Sequence, residues 1–92
     1  MNVRFTLEAR RHISEIYIYI EGRNPPAASR VVVALRVAAR LIGLFPHIGR
    51  VGRARSTYEL SVKGLPYIIV YELRRKGKEV WILGIFHGAQ DR

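Results

Sequence analysis

The chain has 92 residues, 16 of them Lys or Arg against 7 Asp or Glu, for a formal net charge of +9, and no cysteine. That length holds one hydrophobic core rather than two, and the missing thiol excludes a disulfide framework, a thiolate zinc site and a cysteine nucleophile. With 49% of residues apolar the composition excludes disorder, while the excess positive charge favours an anionic partner: nucleic acid, an acidic protein segment or an anionic surface.

The amino-terminal apolar residues are interrupted by Arg4, Glu8, Arg10 and Arg11, which is not the pattern of an export signal. No apolar run approaches the roughly 20 residues of a spanning helix. The expectation is a cytoplasmic protein, one domain over residues 1–92, with no membrane partner. Neither repeats nor low-complexity segments occur.

Taken in chain order, Val3 to Phe5 predicts a short strand, and Thr6 predicts a helix cap whose hydroxyl accepts an amide of the first turn. The helix is expected over 7–22, with Ile13, Ile16, Tyr17 and Ile20 on one apolar stripe and Gly22 as its terminator. Asn24 before Pro25 starts a second helix over 25–44, since Asn caps and Pro suits a first position whose amide has no partner to lose. Its core stripe is Ala28, Val31, Val32, Leu35, Ala38, Ala39 and Ile42. The two helices make an antiparallel hairpin.

Val33, Val37, Leu41 and Leu44 lie on the other side of this second helix, beside Arg30 and Arg40. Two readings are open: surface valines, or valines wrapped by the first helix and the chain ends; and a groove for a partner helix. From Phe45 to Ser56 the pattern breaks into "FPHIGRVGRARS", a basic loop punctuated by Pro46, Gly49 and Gly52. Alternation then returns in "TYELSV", "YIIVYEL" and "VWILGIF", three antiparallel strands. The predicted fold is α+β, in the order β-α-α-β-β-β, with the helix hairpin on one face of a small antiparallel sheet.

Arg50, Arg53 and Arg55 on the loop, with Lys63 in the next turn, present guanidinium forks suited to phosphate or carboxylate. A solvated loop, a nucleic-acid contact and an acidic partner segment all fit them. Cleavage of RNA through its own 2′-hydroxyl needs a base, an acid and cations for the phosphorane charge. Glu59 or His87 could be the base, His87 or Tyr71 the acid, and Arg50, Arg53 or Arg55 the charge stabiliser. Regular alternation would put His87 on one face with Trp81, Leu83 and Ile85, at the rim of an apolar surface. A lone histidine after a strand is more often a hydrogen-bonded end residue than a catalyst. His12 and His47 stand far from it with no paired ligand spacing, so no metal site is expected, and no nucleotide-binding or dinucleotide fingerprint calls for a cofactor. Tyr67, Tyr71, Trp81 and Phe86 sit among Ile, Val and Leu at strand spacing, the setting of core aromatics rather than of a base-stacking platform.

In order along the chain, "VRFTLEARRHISEIYIYI", "NPPAASRVVVAL", "LFPHIGRVGR", "YELSVKGLPYIIVYEL" and "VWILGIFHGAQ" resemble toxins of the RelE/ParE superfamily of type II toxin–antitoxin systems, a group also described as plasmid-stabilisation proteins. The resemblance covers nearly the whole chain. It implies the helix hairpin on a sheet that the first strand joins. It also implies a cognate antitoxin, encoded adjacently, that binds operator DNA with one part and wraps the toxin with an acidic amphipathic segment in a hetero-oligomer. Arg30, Val33, Val37, Arg40, Leu41, Leu44, Arg50, Arg53 and Arg55 are the residues expected to receive that segment.

The superfamily has two branches: RelE-like members cleave messenger RNA on the ribosome, and ParE-like members inhibit DNA gyrase. A nuclease here would rest on His87, Glu59, Arg53, Arg55 and Tyr71. Against it, "YIIVYEL" holds no Arg or Lys where a phosphate stabiliser would be expected, and no tyrosine follows His87. "NPPAASR", "GRVGR" and "FHGAQ" look closer to ParE-like sequences, so gyrase inhibition is the expected activity and ribosome-dependent endoribonuclease the alternative.

Overall fold

The computed structural model describes residues 1–76 and 78–88; the final residues of the "FHGAQDR" ending and Gly77 of the "RRKGKE" turn lie outside the described residues. The elements are β1 (Asn2–Phe5), α1 (Leu7–Glu21), α2 (Pro25–Leu44), β2 (Arg50–Val51), β3 (Thr57–Ser61), β4 (Tyr67–Arg74) and β5 (Glu79–His87). Both helix starts follow from their caps: the Thr6 hydroxyl accepts from Ala9 N–H at 3.0 Å, and Asn24 Oδ1 accepts from Ala27 N–H at 3.1 Å.

The strands form one five-stranded sheet in the order β1-β5-β4-β3-β2. It is antiparallel from β5 to β2, but β1 pairs parallel to β5, Asn2 beside Glu79 and Phe5 beside Ile82, so the sheet is mixed. A two-residue hairpin cannot connect parallel neighbours, and here the long path from β1 to β5 carries the helix hairpin across one face.

That face supplies the core. Leu35 and Ile42 of α2 pack with Ala9 of α1 against Ile69, Tyr71 and Ile82 of the sheet, with Ile13, Ile16 and Ile20 closing the margin. Each buried aliphatic side chain contributes about 1.5–3 kcal/mol. Tyr17 is only half-buried, and its hydroxyl donates to Glu21 at 2.9 Å. At the lower end of the sheet α2 approaches β1 closely. A Cβ on Gly43 would stand 2.7 Å from Val3 Cγ2, and the Met1 ammonium donates to Gly43 O at 2.8 Å, so the chain start caps a carbonyl near the end of α2.

Besides the parallel β1, which makes the sheet mixed where the sequence predicts an antiparallel one, two features depart from the sequence reading. The basic loop contains β2, which pairs Arg50 with Glu59 and Val51 with Tyr58. In β5 the register slips: Val70 faces Gly84 while the next residue, Tyr71, faces Ile82, leaving Leu83 as a bulge. No helix among the described residues is long and apolar enough to cross a membrane.

Candidate functional site

The bulge decides where the candidate catalytic groups stand. Tyr71 and Ile69 point into the core, so their cross-strand partners Ile82 and Ile85 do too, and with them Tyr67 and its partner His87. His87 is therefore on the helix-facing side of the sheet, exposed at its end, with its ring edge-on to Tyr67 at 5.8 Å between centroids. Trp81, paired with Glu72, is on the opposite side, so the face predicted to be shared by His87 and Trp81 does not exist. An extra residue in a strand inverts every side chain beyond it.

Glu59 pairs with Val70 and faces away from the helices. It is only 5% exposed. Its carboxylate accepts from the Arg53 backbone N–H at 3.2 Å and lies 3.5 Å from Arg50 Nη2. The hollow beside it, about 410 Å3, is lined by Arg53, Thr57, Val70 and Phe86 among others. Glu59 and His87 thus occupy opposite faces of one sheet. Arg50 and Arg53 are anchored to Glu59 through a side chain and a backbone amide, and Arg55 is exposed on the following turn.

Tyr71 is fully buried. Its hydroxyl donates to Pro46 O at 2.8 Å and accepts from Gly49 N–H at 2.9 Å, closing the loop between α2 and β2. A Cβ on Gly49 would stand 2.6 Å from that oxygen, so the loop can approach it only as glycine. Burial pushes the Tyr71 phenol above its usual range, and the Gly49 amide works against that. Tyr58 stacks on Tyr71 at 5.6 Å, and His47 meets Tyr58 edge-on at 5.8 Å. The candidate acid Tyr71 is thereby placed in the support of the loop.

His12, given little weight by its sequence setting, has a definite task. β1 covers β5 only as far as Ile82, and beyond it the strand edge is open to α1. The Thr6 hydroxyl donates to Leu83 O at 3.1 Å, and His12 Nδ1 accepts the Ile85 N–H at 3.1 Å while its ring meets Phe86 edge-on at 5.1 Å. A helix side chain thus satisfies a strand edge that would otherwise carry an unpaired amide. Among the described residues no cluster of three His, Cys, Asp or Glu could hold a metal ion.

The outward side of α2 is bare. Val33 is 58%, Val37 60% and Leu44 70% exposed, and the ridge continues through Leu41, Phe45 and Ile48. Neither α1 nor the amino terminus wraps it. Where α2 meets the edge of β3, a hollow of about 500 Å3 runs between Ala34, Val37 and Leu41 on one side and Leu60, Val62 and Lys63 on the other. Arg30 and Arg40 are exposed on the same helix, and the chain leads from Leu44 directly into the arginine loop. An apolar ridge with cationic borders suits an amphipathic acidic segment.

Residues 3–92 match the ParE toxin of type II toxin–antitoxin systems, parDE. The chain belongs to this toxin family. It is 42% identical over 88 residues, 96% of its length and 88% of the relative's, to "Putative toxin Y4kP" of Sinorhizobium fredii (strain NBRC 101917 / NGR234). The ParE-family fold described above is shared with a chain of the chromosomal ParDE system from P. aeruginosa, at TM-score 0.85 and 20% identity over 95% of each chain. It is shared more loosely with the isolated E. coli RelE toxin, at TM-score 0.68 and 11% identity over 99% of this chain and 87% of that one. A chain of the intact E. coli RelBE toxin–antitoxin complex gives TM-score 0.68 at 12% identity, covering 98% of both. For this ParE-family toxin, the β-α-α-β-β-β order expected from sequence stands, with β2 added and β1 parallel.

Proposed function

We propose that this toxin arrests growth by binding DNA gyrase, and that a cognate, DNA-binding antitoxin encoded beside it neutralises it. The antitoxin lays an acidic amphipathic segment on Val33, Val37, Leu41 and Leu44 of α2, bordered by Arg30, Arg40, Arg50, Arg53 and Arg55, in a toxin–antitoxin hetero-oligomer. The observation that carries the choice of target is the separation of Glu59 and His87 onto opposite faces of the sheet. An acid and a base acting on one phosphodiester must both come within hydrogen-bond reach of it. Tyr71 is committed to Pro46 and Gly49, which speaks the same way. The hollow that brings Arg53 beside Glu59 is the feature favouring a second reading, ribosome-dependent cleavage of messenger RNA.

Primer extension on translated messages after induction of the chain separates the two readings. On the gyrase reading growth stops without new RNA ends inside open reading frames, and His87→Ala still introduces none. Ends that appear with the parent chain and vanish with a folded His87→Ala variant would establish the nuclease.

A further inference from the structure

The core does not close completely between the two helices. Leu35, Ile69 and Ile85, each 5% exposed or less, form the floor of a cavity of about 290 Å3, with Phe5 and Ile13 in its walls. Arg10 of α1 and Arg36 of α2 also line it, and both are exposed, so they mark its opening to solvent. Neither guanidinium has an ion-pair or hydrogen-bond partner among the described residues, whereas Arg4, Arg11, Arg50 and Arg74 each pair with a carboxylate.

This combination has a chemical meaning. An apolar pocket open to solvent at one end can take the chain of an amphipathic guest, and its volume, just below the roughly 300–1,000 Å3 of ligand pockets, limits the guest to a small molecule. Arg10 and Arg36 put two cations at one opening, where an anion is attracted to both. Guanidinium forks favour a carboxylate for it. We infer that the interhelical cavity binds a small amphipathic carboxylate of the medium-chain fatty acid class, its chain against Leu35, Ile69 and Ile85 and its carboxylate between Arg10 and Arg36. The site is separate from the outward ridge of α2, so it does not depend on how the antitoxin docks. A ligand bound only by the folded state raises thermal stability by mass action.

The test is titration of the full chain with sodium octanoate, followed by methyl NMR and thermal unfolding. The expected result is saturable, one-site shifts of the Ile13, Leu35, Ile69 and Ile85 methyls together with a rising Tm. The double variant Arg10→Gln, Arg36→Gln changes only exposed side chains and should bind octanoate at least about tenfold more weakly, while octan-1-ol should bind both proteins alike and weakly. Absence of saturable shifts in these methyls, shifts confined to Val33 and Val37, or equal affinity of parent and double variant for octanoate would each overturn the assignment.

Discussion

Tyr71 shows what a single hydroxyl can hold in a protein of this size. It satisfies one donor and one acceptor of the loop between α2 and β2, beside the two-residue strand and the Glu59 contacts that follow it. Replacing Tyr71 with Phe keeps the ring and leaves the Gly49 amide without its acceptor, at a cost of about 1–3 kcal/mol. Chemical denaturation should show that loss, and hydrogen exchange at Gly49 should quicken; unchanged stability would mean that the loop finds another acceptor. His12→Ala should in the same way speed exchange at Ile85 while leaving the amides of β1 protected. Local signals made some of this residue chemistry legible in advance: Thr6 and Asn24 cap as their positions predict, because each bonds an amide three residues away. Tyr71 and His12 could not be read that way, since their partners lie 22 to 73 residues distant and no local pattern encodes them.

The helices are the elements most plainly written in the sequence, because a period of 3.6 over four or five turns repeats its own evidence. β2 escaped notice since two residues between glycines carry no period, and the β5 bulge escaped because an unbroken run of apolar residues hides a change of face. That second omission moved His87 to the other side of the sheet, so the candidate site was less legible than the fold around it. At the β1–β5 junction, Glu79 accepts from Trp81 Nε1 and from Arg4 Nε, both at 3.1 Å. The Trp81 bond first, then Arg4, holds its carboxyl below the usual carboxylate range. A carboxyl lowered in the folded state favours folding above its unfolded pKa, and that contribution disappears as pH falls through the folded value. Denaturation between about pH 5 and pH 3 should therefore lose acid sensitivity in Glu79→Gln, and an identical pH profile would show that the junction is too solvated to matter. On α2, Val37→Asp puts a carboxylate in the middle of the exposed ridge. The fold should be untouched, whereas antitoxin affinity should fall by about 30-fold or more, the equivalent of roughly 2 kcal/mol. Calorimetry with purified antitoxin measures this, and unchanged affinity would remove the ridge from the docking surface.

For the whole molecule, the division of labour between faces matters more than any one residue. One face of the sheet is filled by the helix hairpin, the outward side of α2 is apolar and bare, and the net charge of +9 surrounds both. Such a surface favours tight contact with an acidic or amphipathic partner, and its charge speeds the encounter at low salt. The candidate acid–base groups, in contrast, do not converge. The proposed contact with gyrase is tested by supercoiling of relaxed plasmid by purified gyrase and ATP, with the folded toxin titrated in and cleavage complexes trapped. Dose-dependent inhibition with accumulation of linear DNA, reversed by antitoxin, is the expected result. Full gyrase activity in the presence of folded protein that still arrests growth in cells would contradict it.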